Sequence, residues 1–86
     1  MVVYMRRVLK NRIYKHFKGN SYIVLDVGYD CETVKRCVIY RQLYGDGKIW
    51  IRDESDFLSE IDHNKYPNVK QKYRFSLQSI KSINKS

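Results

Sequence analysis

The chain has 86 residues, with 17 Lys and Arg against nine Asp and Glu, a formal net charge of +8, and 43% hydrophobic residues that include eight tyrosines. This length allows one domain, near the lower limit for a self-sufficient core, and the composition excludes a disordered chain. Two cysteines, Cys31 and Cys37, are too few for a secreted disulfide framework, and no apolar run approaches the roughly 20 residues that span a bilayer. The opening Met-Val-Val-Tyr-Met-Arg-Arg has its charge on the wrong side of its apolar residues for a secretory signal, so a cytoplasmic protein with reduced thiols is expected.

Charge is unevenly placed. Five acids (Asp53, Glu54, Asp56, Glu60, Asp62) fall within residues 53–62, which contain no Lys or Arg; the other segments carry all 17 basic residues against four acids. Such a field attracts phosphate-bearing partners, although solubility alone is a competing explanation.

Residues 1–11 (Arg6, Arg7, Lys10 among Val2, Val3, Val8, Leu9) sustain neither period and read as a basic arm, a helical turn or a first strand. From Arg12, alternation sets Ile13, Lys15 and Phe17 against Tyr14 and His16, and Gly19-Asn20 signals a hairpin turn. Tyr22 to Val27 is rich in strand formers, with Ile23, Leu25 and Val27 on one face, and a turn is expected over residues 28–33. Lys35 to Tyr44 alternates longest, with Cys37, Ile39, Arg41 and Leu43 opposite Arg36, Val38, Tyr40, Gln42 and Tyr44. Gly45-Asp46-Gly47 bends the chain back into a strand over 49–52, where Trp50 and Arg52 share a face. Residues 53–61 read as one or two helical turns, with Ser55 as a capping residue and Phe57, Leu58 and Ile61 as an apolar stripe closing one end of a barrel. Residues 62–72 are polar loop, 73–77 a last strand, and 78–86 a flexible tail. The prediction is a mainly β chain: a small SH3-like barrel of about five strands with one short helical turn, its single barrel domain spanning 12–77.

Several motifs then line up: Tyr14-Lys15-His16-Phe17-Lys18-Gly19-Asn20 with Tyr22, Glu32-Thr33, Val38-Ile39-Tyr40-Arg41-Gln42-Leu43-Tyr44-Gly45, Trp50-Ile51-Arg52, Phe57 and Arg74-Phe75. Over residues 12–77 this resembles the bacterial and phage family known as domain of unknown function 1653. The resemblance implies a small β-rich domain without an assigned activity. Where that family has His-Ser before Glu-Thr this chain has Asp30-Cys31, and where it has Pro after Trp-x-Arg this chain has Asp53. The first departure removes a histidine from the candidate site.

The candidate ligand-binding residues are His16, Lys18, Glu32, Thr33, Tyr40, Tyr44, Trp50, Arg52 and Arg74. Aromatic rings stack on bases and arginine forks onto phosphate, so Arg52 and Arg74 are assigned the phosphate, Trp50 and Tyr44 the base, and Glu32 or Thr33 a sugar or base edge. The cysteines have no metal-ligand spacing, and Cys31 has neither a nucleophile elbow nor an oxyanion loop, so no metal, cofactor or catalysis is expected. The expectation is a non-catalytic domain for a phosphate-containing nucleotide-type ligand, sequestering a nucleotide signal in a phage context. A single-stranded DNA or RNA module, with Arg6, Arg7, Lys10, Lys35, Arg36 and Lys48 along the backbone, and a self-associating protein adaptor are the alternatives.

Overall fold

A computed structural model describes residues 6–79. The expected flexible tail lies largely outside the described residues, as do the first five residues of the expected arm. Five antiparallel strands, β1 (Ile13–His16), β2 (Ser21–Tyr29), β3 (Arg36–Gln42), β4 (Ile49–Asp53) and β5 (Phe75–Leu77), form one sheet in the order β4-β3-β2-β1-β5. The helix α1 (Glu54–Phe57) follows β4 directly.

The sheet is open, with β4 and β5 at its two edges, so the closed barrel expected from the alternation is not formed. Strands of three to five residues at the edges leave too little ladder for closure, and the gap is spanned by chain instead. Glu60 bridges Tyr73, while Ile61 N–H donates to Lys72 O (2.9 Å) and Arg74 N–H to Ser59 O (2.9 Å). The segment after α1 is thereby tied to the segment that enters β5.

The core lies on one face of the sheet and is built from Val8, Tyr14, Val24, Val38, Tyr40, Phe57 and Phe75. Phe57 stacks on Phe75 with ring centroids 4.1 Å apart, and the Tyr14 and Tyr40 rings meet Phe57 edge-on, each at 5.2 Å. Edge-to-face and offset contacts suit the ring quadrupole and let a small sheet bury aromatic mass while hydroxyls find partners. Tyr14 Oη does so by accepting from Leu9 N–H (3.0 Å). Residues 6–11 form neither strand nor helix, but Val8 is buried and Asn11 N–H donates to Val24 O (2.7 Å).

Three local expectations are corrected. A bulge between Val24 and Asp26 breaks the alternation in β2, so Val24 fills the core and Val27 still packs against it. Gly28 lies inside β2, paired with Cys37, and the turn begins at Asp30, whose Oδ1 accepts from the N–H groups of Glu32 and Thr33 (2.9 Å each). Ser55 does not cap α1: the N-cap position is Asp53, without a side-chain cap bond. The Gly45 to Gly47 bend is as expected, with both glycines at positive φ and Gln42 N–H donating to Lys48 O (2.9 Å).

Candidate functional site

β1 ends at His16, and Gly19, at φ 110, lets residues 17–20 turn tightly so that His16 N–H donates to Asn20 O (2.8 Å). The turn also sets the histidine tautomer. Lys18 N–H donates to His16 Nδ1 (3.1 Å), which leaves the ring proton on Nε2. Burial, then the charges of Arg74, Arg52 and Lys18, lower the His16 pKa from 6.5 to about 4, so the imidazole is neutral at pH 7.

His16 stands between two adjoining clefts. The larger, about 430 Å³, is lined by His16, Phe17, Lys18, Arg52 and Arg74 on one side and by Ile61, Asp62, Lys65 and Tyr66 on the other. The smaller, about 180 Å³, is aromatic: Tyr22, Tyr40, Trp50 and Phe75 surround it, and His16 and Arg52 complete it. One cleft is cationic and the other is walled by aromatic side chains, of which Trp50 is the most exposed.

The arginines are held by a carboxylate. Arg52 Nη1 donates to Asp56 Oδ2, and Arg74 Nε lies 3.9 Å from Asp56 Oδ1. Asp56 is the third residue of α1, so the helical turn presents it to β4 and to the chain entering β5. Arg52 Nε also donates to Tyr40 Oη (3.1 Å), and Arg74 Nε to Ser59 Oγ (3.2 Å). Although burial opposes its charge, these bonds hold the Arg52 guanidinium above its ordinary pKa. Nη2 of Arg52 and both Nη atoms of Arg74 make no hydrogen bond among the described residues. Lys18 and Lys65 form no ion pair there either. Asp62, the one acid lining the cationic cleft, uses Oδ1 to accept from Asn64 N–H (3.0 Å) and Lys65 N–H (3.3 Å).

On the aromatic side, Trp50 Nε1 donates to Gln42 Oε1 (2.6 Å), which fixes an indole that is 46% exposed. Gln42 is itself buried on the face of Val38 and Tyr40, and it also donates to Tyr44 O and Asp46 Oδ1. Tyr44 Oη shares a 2.8 Å hydrogen bond with Tyr22 Oη. Burial and this bond push the Tyr22 pKa up to about 12.

Of the residues predicted from sequence, His16, Lys18, Tyr40, Trp50, Arg52 and Arg74 line the two clefts. Tyr44 adjoins them through Tyr22. Glu32 and Thr33 line neither cleft: they are exposed in the turn beyond Tyr29 and Arg36, where the β2–β3 ladder ends. Sequence reasoning missed Phe17, Tyr22, Phe75 and the far wall at Lys65 and Tyr66. Tyr66 packs on Phe17 (centroids 4.9 Å apart), and Asp62 O accepts from Tyr66 N–H (2.9 Å). Asp62 followed by Asn64 and Pro67 is a turn signal that pointed to a fold-back, though not to what it would touch.

The family model described as "Protein of unknown function (DUF1653)" matches residues 12–77, from the residue before β1 to the last residue of β5. The chain belongs to this family. Compared with curated proteins and with solved structures, it has no match. In this DUF1653 domain no set of three or more His, Cys, Asp and Glu is grouped to hold a metal among the described residues. No helix there is long and apolar enough to cross a membrane.

Proposed function

We propose that this DUF1653 domain is a non-catalytic binding module for a phosphate-containing, nucleotide-type ligand. The observation that carries the reading is the junction itself: His16 and Arg52 are shared by a cationic cleft and an aromatic one. A phosphate beside Arg74, Lys18 and Lys65 takes up the unspent guanidinium donors, and a base reaches the held, half-exposed indole of Trp50. Stacking contributes about 1–3 kcal/mol per base, and arginine adds charge-assisted bonds to the phosphate. The neutral imidazole serves as an Nε2–H donor at the boundary, and the larger cleft is of a size that ordinary small ligands occupy. Sequestration of a nucleotide is the role we assign to a module of this kind. We read its curled sheet as an opened variant of an SH3-like scaffold.

Thermal denaturation with a panel of nucleotides tests this. A ligand that binds only the folded chain raises the melting temperature with concentration, and Arg52→Ala removes the shift. Single-stranded DNA or RNA is the competing ligand, since both clefts are open. Polymer binding weakens log-linearly with salt at a slope set by the number of phosphates neutralised, whereas a mononucleotide shows a shallow dependence. If neither class moves the melting curve, the reading is wrong.

A further inference from the structure

The edge strand β4 leaves half of its backbone unpaired in a regular pattern. Gln42 N–H donates to Lys48 O, and the register pairs Tyr40 with Trp50 and Val38 with Arg52. Bonded pairs alternate in an antiparallel ladder, so Trp50 and Arg52 direct their backbone groups to β3 while Ile49 and Ile51 direct both of theirs outward and Asp53 its N–H, the Asp53 C=O serving the N-terminus of α1. No strand among the described residues pairs with that outer side. The side chains there are not those of a guarded edge. Ile51 is 71% exposed and Ile49 is 50% exposed, next to a shallow hollow of about 170 Å³ lined by Tyr29, Cys37, Ile39 and Ile51.

We propose that a second copy of this chain pairs with this edge, β4 against β4, about a two-fold axis at Ile51. This inference rests on the strand edge and not on the ligand reading, although Trp50 and Arg52 serve in both. A two-fold interface must be self-complementary, each residue meeting a partner residue that is met in return. With Ile51 opposite its own symmetry mate, the two Ile51 residues exchange both backbone bonds, and the Asp53 N–H of each copy reaches the Ile49 C=O of the other, the Asp53 C=O being taken by α1. On the face away from the core the exposed Ile51 side chains meet. On the core face Trp50 of each copy lies opposite Arg52 of the other, in the type of pair whose side chains come closest. A guanidinium beside an indole is a favourable partner, so the register matches in charge as well as shape. The location also suits a basic protein: the acid-bearing residues 53–62 follow β4 directly, whereas β5 is preceded by Lys72 and Arg74. Each aromatic cleft then borders the partner's indole.

Sedimentation equilibrium of the full chain tests the pairing. The expected result is a reversible species of twice the 10.4 kDa chain mass. Ile51→Lys sets like charges on the axis and is expected to leave a folded monomer. Ile51→Pro deletes the outward N–H without removing a bond to β3, and is expected to do the same. Leu77→Lys, at the opposite edge, is expected to leave the dimer intact. Trp50 is the single tryptophan, so its emission is expected to shift to the red on dilution of the natural chain. That readout needs no variant to fold. A natural chain that stays monomeric with concentration-independent emission overturns the proposal, as does a dimer that survives Ile51→Lys or is lost in Leu77→Lys.

Discussion

Two carboxylates in one helical turn each gather two arginines, and they do so to different ends. Glu54 accepts from Arg7 Nη1 (3.0 Å) and Val8 N–H (3.2 Å), and Arg36 Nε lies 3.1 Å away in an ion pair whose angle falls short of a hydrogen bond. Its side chain is 8% exposed; that of Asp56, which holds Arg52 and Arg74, is 45% exposed. Burial raises the Glu54 pKa, but the Val8 N–H, Arg36 and Arg7 outweigh it and keep the carboxyl below its ordinary range. The Glu54 cluster fastens the N-terminal segment and the end of β3 onto α1, and its arginines line neither cleft. The Asp56 cluster opens onto a cleft with guanidinium donors to spare. Pairing alone therefore does not separate a structural arginine from a binding one; what separates them here is a place on the wall of a cleft.

Substitutions can pull the two clusters apart. Glu54→Ala strands the Val8 N–H and the buried Arg36 Nε, and we expect a loss of about 2–3 kcal/mol in chemical denaturation, with the half-exposed Arg7 contributing little. Arg52→Ala costs less stability but removes a charge-assisted phosphate contact of about 1.5–2 kcal/mol, roughly a tenfold or greater loss in ligand affinity by calorimetry. Asp56→Asn is expected to cost about 0.5 kcal/mol or less in denaturation, because the pair it breaks is partly exposed, while affinity for the anion rises several-fold. Were Asp56→Asn as damaging as Glu54→Ala, the two clusters would be equivalent and the comparison would fail.

Acidity separates them as well. The folded His16 pKa of about 4 lies below its unfolded value of 6.5, so the unfolded chain binds the extra proton between those values. Stability from the cleft region is fully present above pH 6.5 and declines as pH falls toward 4. The Glu54 contribution, from a lowered carboxyl, is present above the unfolded carboxylate pKa and is lost as pH falls through the still lower folded value. His16→Asn is expected to flatten the stability profile between pH 6.5 and 4, and Glu54→Gln the part below it. Equal effects of both variants across the whole range would contradict this division.

Strand alternation made the core-bearing face of the sheet legible in part. It set His16 with Tyr14 and Trp50 with Arg52, and the Gly-Asp-Gly bend brought Tyr40 opposite Trp50. Period-two patterns report which face a residue takes, and short turns fix the register between neighbours. Contacts made across long stretches of irregular chain leave no such trace. Residues 62–72 carry no period, so the packing of Tyr66 on Phe17 was hidden, as was Gln71 Nε2 donating to Lys15 O (3.1 Å) and Tyr73 O (2.8 Å). The bulge at Leu25 split the expected face of β2, so that Val24 and Val27 share the core side, because an extra residue shifts the phase without changing composition. Openness of the sheet was equally hidden, since edge pairing depends on strand lengths that propensity does not set. Glu32 and Thr33 entered the candidate site through the family motif alone, and the turn that holds them lies at the far end of the hairpin.

Amide chemical-shift mapping during a nucleotide titration tests the binding reading most directly. The expected result is saturable shifts concentrated at His16, Lys18, Tyr40, Trp50, Arg52, Lys65 and Arg74, with Glu32, Thr33 and the Glu54 contacts unmoved. Shifts confined to the Asp30–Lys35 turn, spread evenly over the basic surface, or absent at saturating nucleotide would contradict it.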